Sequence, residues 1–331
     1  MNFLVGDIGG TNTRLLYANM NKNVCKHFHE KSYSSHNFSS LTEVINIFLL
    51  DCKITDSIDA ACFAIAGPVE NGTVSVTNLP WVINQEQLKK DLHITNIKII
   101  NDFFAVAIGI TELKENDFVI MQEGQDKVNS DAAIIGAGTG FGAAHLVWED
   151  NQYHPYASEV GHTGFAPENT LQSELLMWMQ KQHSHVSLEM LLSGKGLINI
   201  YRFFLETKDM KESLAVKDKM KLKDPAQVIT EYALSGDDDL CQVTLACFID
   251  IYGAAAGNVA LNYYPIAELY IAGGIAVKIK DKMVGSAFIQ AFTDKGLLSL
   301  NMKKITIKLV TQDKVGLYGA LAMLKATYLI K

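Results

Sequence analysis

Asp7 stands between Gly6 and the pair Gly9-Gly10, with Thr11 next, in the stretch VGDIGGTNTRLLY. Closely spaced glycines let backbone amides point at phosphate oxygens. A carboxylate among them cannot bind phosphate, but it can hold Mg2+ or that ion's water shell, which then bridges the phosphate charges. A second run, GAGTGFG from Gly136, repeats the pattern with Gly138, Thr139 and Gly140. Thr11 and Thr139 can add hydroxyl hydrogen bonds. One such run alone reads best as an ordinary hairpin turn. Two, each carrying threonine and each following an apolar strand, shift the balance toward phosphate binding.

Asp102 ends the apolar stretch IKIIND and precedes FFAVAIGITEL. A carboxylate at a strand end can accept a proton from a hydroxyl. An aspartate before a helix also caps it, and on the residues alone the two readings are equal. Glu159 and His162 lie three apart in SEVGHTG, a loop able to aim both at one ligand. Taken singly, His162 reads as a half-buried histidine bonded to a carbonyl. Glu189 reads as a first-turn acid behind Ser187, favoured by the helix dipole.

Two better-known phosphate loops do not fit. A nucleotide P-loop needs a lysine and a hydroxyl at the end of its glycine run, with a helix behind it. The first run lacks them, and SGKGL at Ser193 has the wrong spacing. Gly138, Gly140 and Ala143 match the alanine variant of the dinucleotide fingerprint, with Glu159 about twenty residues on. That fold needs a full crossover helix, whereas a short alternating segment leads straight to the turn at Glu149-Asp150-Asn151.

The elements around these residues alternate between strand and helix. NFLVGDI and TRLLYANM form a hairpin about Gly9-Gly10, and a helix over 40–52 follows on the spacing of Leu41, Val44, Ile45, Phe48 and Leu49. AACFAIAGPV, GTVSVTNLPW and IKIIND read as strands, INQEQLKKDL and FFAVAIGITEL as helices. DAAIIGAGTGFGAAHLVWEDNQYHPY reads as three strands. Strand, glycine turn, strand thus occurs twice, as two related α/β units facing each other across a cleft would require. Helices are expected over 171–182, 188–192, 197–206 and 239–262, then the strand ELYIAGGIA, the strand ITIKLV and the helix GLYGALAMLKATYL. The charged stretch 208–224 reads as a solvated loop or surface helix.

The chain has 331 residues, 48% of them apolar, and a net charge of -7, which point to two domains and away from nucleic-acid or anionic-membrane partners. Five scattered cysteines without a CxxC pair read as a reduced cytoplasmic chain with no disulfide framework or zinc site. The glycine motif so near Met1 gives the expectation of no signal peptide and no added DNA-binding module. Charged and amide residues within the apolar region 244–277 make it a buried helix and strand, not a membrane span.

GDIGGTNTR, IINDF, GAGTGFG, EVGH, FAP, LSGKGL and AGGI occur in the order and approximate spacing of the bacterial glucokinases, and the chain resembles that family from Val5 to about Leu321. These belong to the hexokinase–actin–Hsp70 superfamily. The resemblance implies a two-lobed, actin-like ATPase (ribonuclease H-like) fold with an interlobe cleft. Its small lobe would be residues 1–112 plus 311–331, and its large lobe 113–310. The cysteine-rich zinc motif of the related ROK sugar kinases is absent, which favours the plain branch.

By the same resemblance, Asp102 is the general base in phosphorylation of glucose at the 6-hydroxyl by ATP. Asn78, Asn101, Glu159, His162 and Glu189 bind the sugar. Gly6, Asp7, Ile8, Gly9, Gly10 and Thr11 hold ATP together with Gly138, Thr139, Gly140, Gly273 and Gly274, and Asp7 meets Mg2+ through water. A homodimer is what relatives suggest. The rivals are a kinase for another hexose or amino sugar, a silent sugar sensor, and an assembling actin-like ATPase. Val160 departs from the glycine many relatives carry there, and a β-branched residue disfavours positive φ. The small residues Gly316, Gly319, Ala320 and Ala322 suit close helix packing at a hinge.

Overall fold

The computed structural model describes residues 1–21, 24–76, 79–125, 127–285 and 287–328. The chain forms two compact units, one of Met1–Lys114 with Gln312–Lys331 and one of Glu115–Thr311.

The first unit runs β1 (Asn2–Ile8), β2 (Asn12–Asn21), β3 (Val24–Ser34), α1 (Leu41–Asp51), β4 (Ala60–Ile65), β5 (Thr73–Ser75), β6 (Val82–Asn84), α2 (Gln85–Leu92), β7 (Ile97–Asn101) and α3 (Asp102–Gly109). Its main sheet has the order β3-β2-β1-β4-β7, antiparallel from β3 to β1 and parallel from β1 to β7. Successive side chains of a strand point to opposite faces, so β1 feeds two cores. Leu4 and Ile8 join Val44, Ile45 and Phe48 of α1, whereas Phe3 and Val5 join Ala105 of α3. The same alternation puts Asp7 on the α3 side.

The second unit runs β8 (Phe118–Gln122), β9 (Ala132–Ala137), β10 (Phe141–Glu149), β11 (Gln152–Ser158), α4 (Thr170–Gln180), α5 (Gly194–Thr207), α6 (Leu214–Met220), α7 (Pro225–Ser235), α8 (Asp239–Asn262), β12 (Glu268–Ala272), α9 (Gly274–Lys278), α10 (Lys280–Met283), α11 (Ala287–Thr293), α12 (Ser299–Met302) and β13 (Thr306–Val310). The sheet order is β11-β10-β9-β12-β13-β8. Three antiparallel strands are again followed by parallel neighbours, with β8 added antiparallel at the edge. The α/β repeat read from the two glycine runs is therefore present as two mixed sheets of like order. Among the described residues α8 is the one helix long and apolar enough to cross a membrane, and most of it is buried within this unit. Gly253 and Gly257 bring it against α11, where a Cβ would lie 2.2 Å from the Phe288 carbonyl oxygen and 2.6 Å from that of Phe292.

The chain then returns to the first unit as α13 (Val315–Tyr328), whose Leu317, Ala320, Leu321 and Leu324 complete the α3-side core. A Cβ at Gly319 would stand 1.8 Å from the Ala105 carbonyl oxygen. One at Gly109 would stand 2.1 Å from that of Val315. The small residues of GLYGALAM therefore serve a tight helix crossing inside this unit.

Two expectations shift in detail, and the surface helix expected within 208–224 is present. Residues 188–192 make only a 3-10 turn, Leu188–Met190, because Ser193 already caps α5. ELYIAGGIA ends as strand at Ala272, since Gly273 turns to φ +97° and α9 begins. The stretch 208–224 carries the surface helix α6, of which only Val216 is buried.

Candidate active site

In the first unit, Asp7 and Asp102 come together on the α3 side at the carboxyl ends of β1 and β7. Burial, and then the negative charge of Asp102, push the Asp7 carboxyl up to about 6. Arg14, its cross-strand partner on β2, offsets part of this. Burial likewise raises Asp102, against the lowering effect of the hydrogen bond its Oδ1 accepts from the Phe103 amide at 2.8 Å. The helix cap that competed for Asp102 belongs to its neighbour. Asn101 Oδ1 accepts from the Phe103 and Phe104 amides at 2.9 and 3.0 Å, and its Nδ2 donates to the Gly67 carbonyl at 3.1 Å. Asp102 has no side-chain hydrogen-bond partner among the described residues.

The loop after β1 is braced from below. The Gly9 amide donates to the Asn12 carbonyl at 2.9 Å. Ser35 Oγ donates to the Gly9 carbonyl at 3.0 Å and lies 3.0 Å from Thr13 Oγ1. Arg14 pairs with Asp313 at 2.9 Å and Lys314 with Glu30 at 2.9 Å, which fixes the start of α13 to β2 and β3. A Cβ at Gly316 would stand 3.3 Å from Asp7 Oδ2, so the first turn of α13 borders that carboxylate. The sequence reading passed over Ser35, Asp313 and Glu30. The signal for Arg14 was present, a lone cation inside GDIGGTNTR.

In the second unit, Gly138, Thr139 and Gly140 form the turn between β9 and β10, closed by the Gly138 amide on the Gly140 carbonyl at 2.8 Å. The Gly273 turn crosses beside this strand, where a Cβ would lie 2.4 Å from the Ala137 carbonyl oxygen. Gly138 and Gly274 have no protein atom within 4 Å of a Cβ position. Glu189 stands in the first turn of the 3-10 segment behind Ser187, as expected of it singly, and also reaches the hairpin. Its Oε2 accepts from the Phe141 amide at 2.9 Å.

Glu159 and His162 are exposed, 3.9 Å apart across the turn Val160–His162. Among the described residues the His162 ring binds no carbonyl, unlike the half-buried histidine considered above. Val160 has no positive φ and packs against the core, so its β-branch costs that turn nothing. Gly161 is needed instead, since a Cβ there would lie 2.1 Å from the Phe141 carbonyl oxygen.

Both glycine loops leave amides unpaired. Among the described residues no hydrogen bond is made by the amides of Gly10 and Thr11 in the first or Thr139 and Gly140 in the second. Gly6 and Ile8 face the α1-side core instead. Ile8 is fully buried, and a Cβ at Gly6 would lie 2.9 Å from Ile8 and Phe63. Asn78 lies outside the described residues.

Two mixed α/β sheets of like order, each opening on a glycine hairpin, match the architecture of sugar kinases of the actin-like ATPase type. A crystal structure of glucokinase from an Antarctic psychrotroph matches with a TM-score of 0.80 at 34% identity, covering 98% of this chain and 99% of that one. That of glucokinase from Balamuthia mandrillaris in complex with glucose matches at 0.79 with 19% identity, over 97% and 92%, a likeness of fold alone. The family model for glucokinase matches residues 4–327. The glucokinase of Trichormus variabilis is 39% identical over 331 residues, spanning 96% of this chain and 97% of the relative. The chain belongs to the glucokinase family.

Proposed function

We propose that this enzyme transfers the γ-phosphoryl group of ATP to the 6-hydroxyl of glucose, with Asp102 as general base. The observation that carries the reading is the division of labour at the end of β7. Asn101 takes the helix cap, which leaves the Asp102 carboxylate without a side-chain partner. Burial raises its proton affinity, and a base with a raised pKa draws the hydroxyl proton more strongly. Phosphoryl transfer otherwise asks the protein to position groups and neutralise charge. The unpaired amides of Gly10, Thr11, Thr139 and Gly140 suit phosphate oxygens, and Gly274 leaves room for the base of the nucleotide beside α9. Glu159, His162 and Glu189 hold the remaining sugar hydroxyls.

Mg2+ fits the first-unit residues. A buried carboxylate whose proton affinity is raised further by a second carboxylate is relieved by a hard cation with oxygen ligands. Asp7 would hold the ion through its water shell, and the ion would supply charge neutralisation on the phosphates. Closure of two lobes over the substrates would exclude water as a competing acceptor. A reducing, cytoplasmic setting suits Cys52, Cys62, Cys241 and Cys247, all buried as free thiols.

The test is ADP release measured across glucose, mannose, fructose and N-acetylglucosamine. Glucose should give the highest kcat/KM. A clear preference for another sugar would replace glucose in this reading, and no turnover with any sugar would leave a sensor.

A further inference from the structure

We propose that Glu189 is a positioning residue that ties the sugar-holding loop to the second phosphate hairpin, so that sugar and nucleotide binding are coupled through it. The inference rests on the phosphotransfer reading above and deepens it. Its centre is Phe141, the first residue of β10. The Phe141 amide donates to Glu189 Oε2 at 2.9 Å. The Phe141 carbonyl lies under Gly161, in the turn between Glu159 and His162, so closely that a Cβ would come within 2.1 Å. Both sides of the sugar set therefore rest on the residue that closes the hairpin.

Further bonds hold the same segments together. The Leu188 amide donates to the Thr163 carbonyl at 3.0 Å and the Phe165 amide to the Val186 carbonyl at 2.8 Å. The Gly194 amide donates to the Gly138 carbonyl at 3.0 Å. Ser193 Oγ donates to the Glu189 carbonyl at 2.8 Å. Glu189 thus sits on a short segment bonded at one end to the Glu159–His162 loop and at the other to the hairpin. Its Oε2 is engaged by backbone, and a carboxylate has a second oxygen, Oε1, with which to accept from a sugar hydroxyl. A sugar that pulls on Oε1 shifts the group that fixes the phosphate turn.

Gly140 supplies a clean probe. Its φ lies outside the left-handed region, so alanine imposes no backbone strain. The three atoms nearest a Cβ there all belong to the Glu189 carboxylate, the closest being Oε2 at 2.4 Å. A methyl group at Gly140 would displace that carboxylate first.

The experiment is calorimetry of glucose binding with and without a non-hydrolysable ATP analogue, for wild type, Gly140→Ala and Glu189→Ala. Coupling is reciprocal, and in the wild type the analogue should tighten glucose binding by about fivefold or more. In Gly140→Ala that factor should fall below about twofold, and glucose binding without nucleotide should also weaken severalfold, although Gly140 itself holds no sugar hydroxyl. Glu189→Ala should abolish the coupling. Unchanged coupling in both variants, with glucose still bound, overturns the inference and leaves the sugar reading standing. A wild type that binds no glucose overturns both.

Discussion

At the scale of single residues, Asp102 and Asn101 divide two jobs that look interchangeable in the sequence. Removing a general base costs about 10²–10⁴ in rate, so Asp102→Ala should lose kcat by that order with glucose affinity changed little. Comparable kcat in the variant would remove Asp102 from the chemistry. Because burial raises this carboxyl and the base must be ionised, the acid limb of the kcat profile should lie above the ordinary carboxylate range. Asp7 gives a stability prediction. It titrates at about 6 when folded against an ordinary 3.8, so the ligand-free folded chain holds that proton more tightly than the unfolded one. The resulting stabilisation is present below about pH 3.8 and is lost as pH rises through about 6. Asp7→Asn should flatten that fall and raise stability at pH 7 by about 3 kcal/mol, read by denaturant titration in the absence of Mg2+. The carboxylates were legible because a charge at the end of an apolar run stands out. The cap on Asn101, the brace by Ser35 and the tether of Glu189 depend on contacts between segments, and no spacing encodes them.

Secondary-structure elements were legible where burial imposed a period. β4 and β9, buried at every position, show as apolar runs, and α1 shows its helical spacing. The polar strand β3 lies at a sheet edge, paired on one side only, and gives no such signal. α7 was signalled and passed over, with Asp224 capping it, Pro225 in its first turn and Gly236 left-handed at its end. Elements also separate glycines kept for packing from glycines kept for approach. Gly319→Ala drives a methyl into the Ala105 carbonyl where α13 crosses α3, and should destabilise the protein by about 3 kcal/mol in thermal melts. Gly274→Ala meets no protein atom and should stay within about 0.5 kcal/mol of wild type. It should nevertheless raise KM for ATP severalfold if the nucleotide lies beside α9. An unchanged KM would move the adenine elsewhere.

For the whole molecule, the two glycine hairpins disclosed the duplication because each unit needs a turn at the same point of its sheet. The allocation of the last helix rests on the core that Leu317, Ala320, Leu321 and Leu324 complete with Phe3 and Val5. A chain stopped after Thr311 should therefore lose the fold of its first 114 residues while the second unit keeps its own, visible as selective loss of amide protection in hydrogen exchange. The same allocation sets an order in time. Domains generally fold as units while the chain is still being made, the earlier ones first. Here the part made first is finished last: the second unit is one continuous stretch, but the opening strands wait for α13 to leave the ribosome. Until then the apolar face of β1 stands uncovered, and slowing translation over the codons of α13 would lengthen the interval in which a nascent chain is open to chaperones or to aggregation.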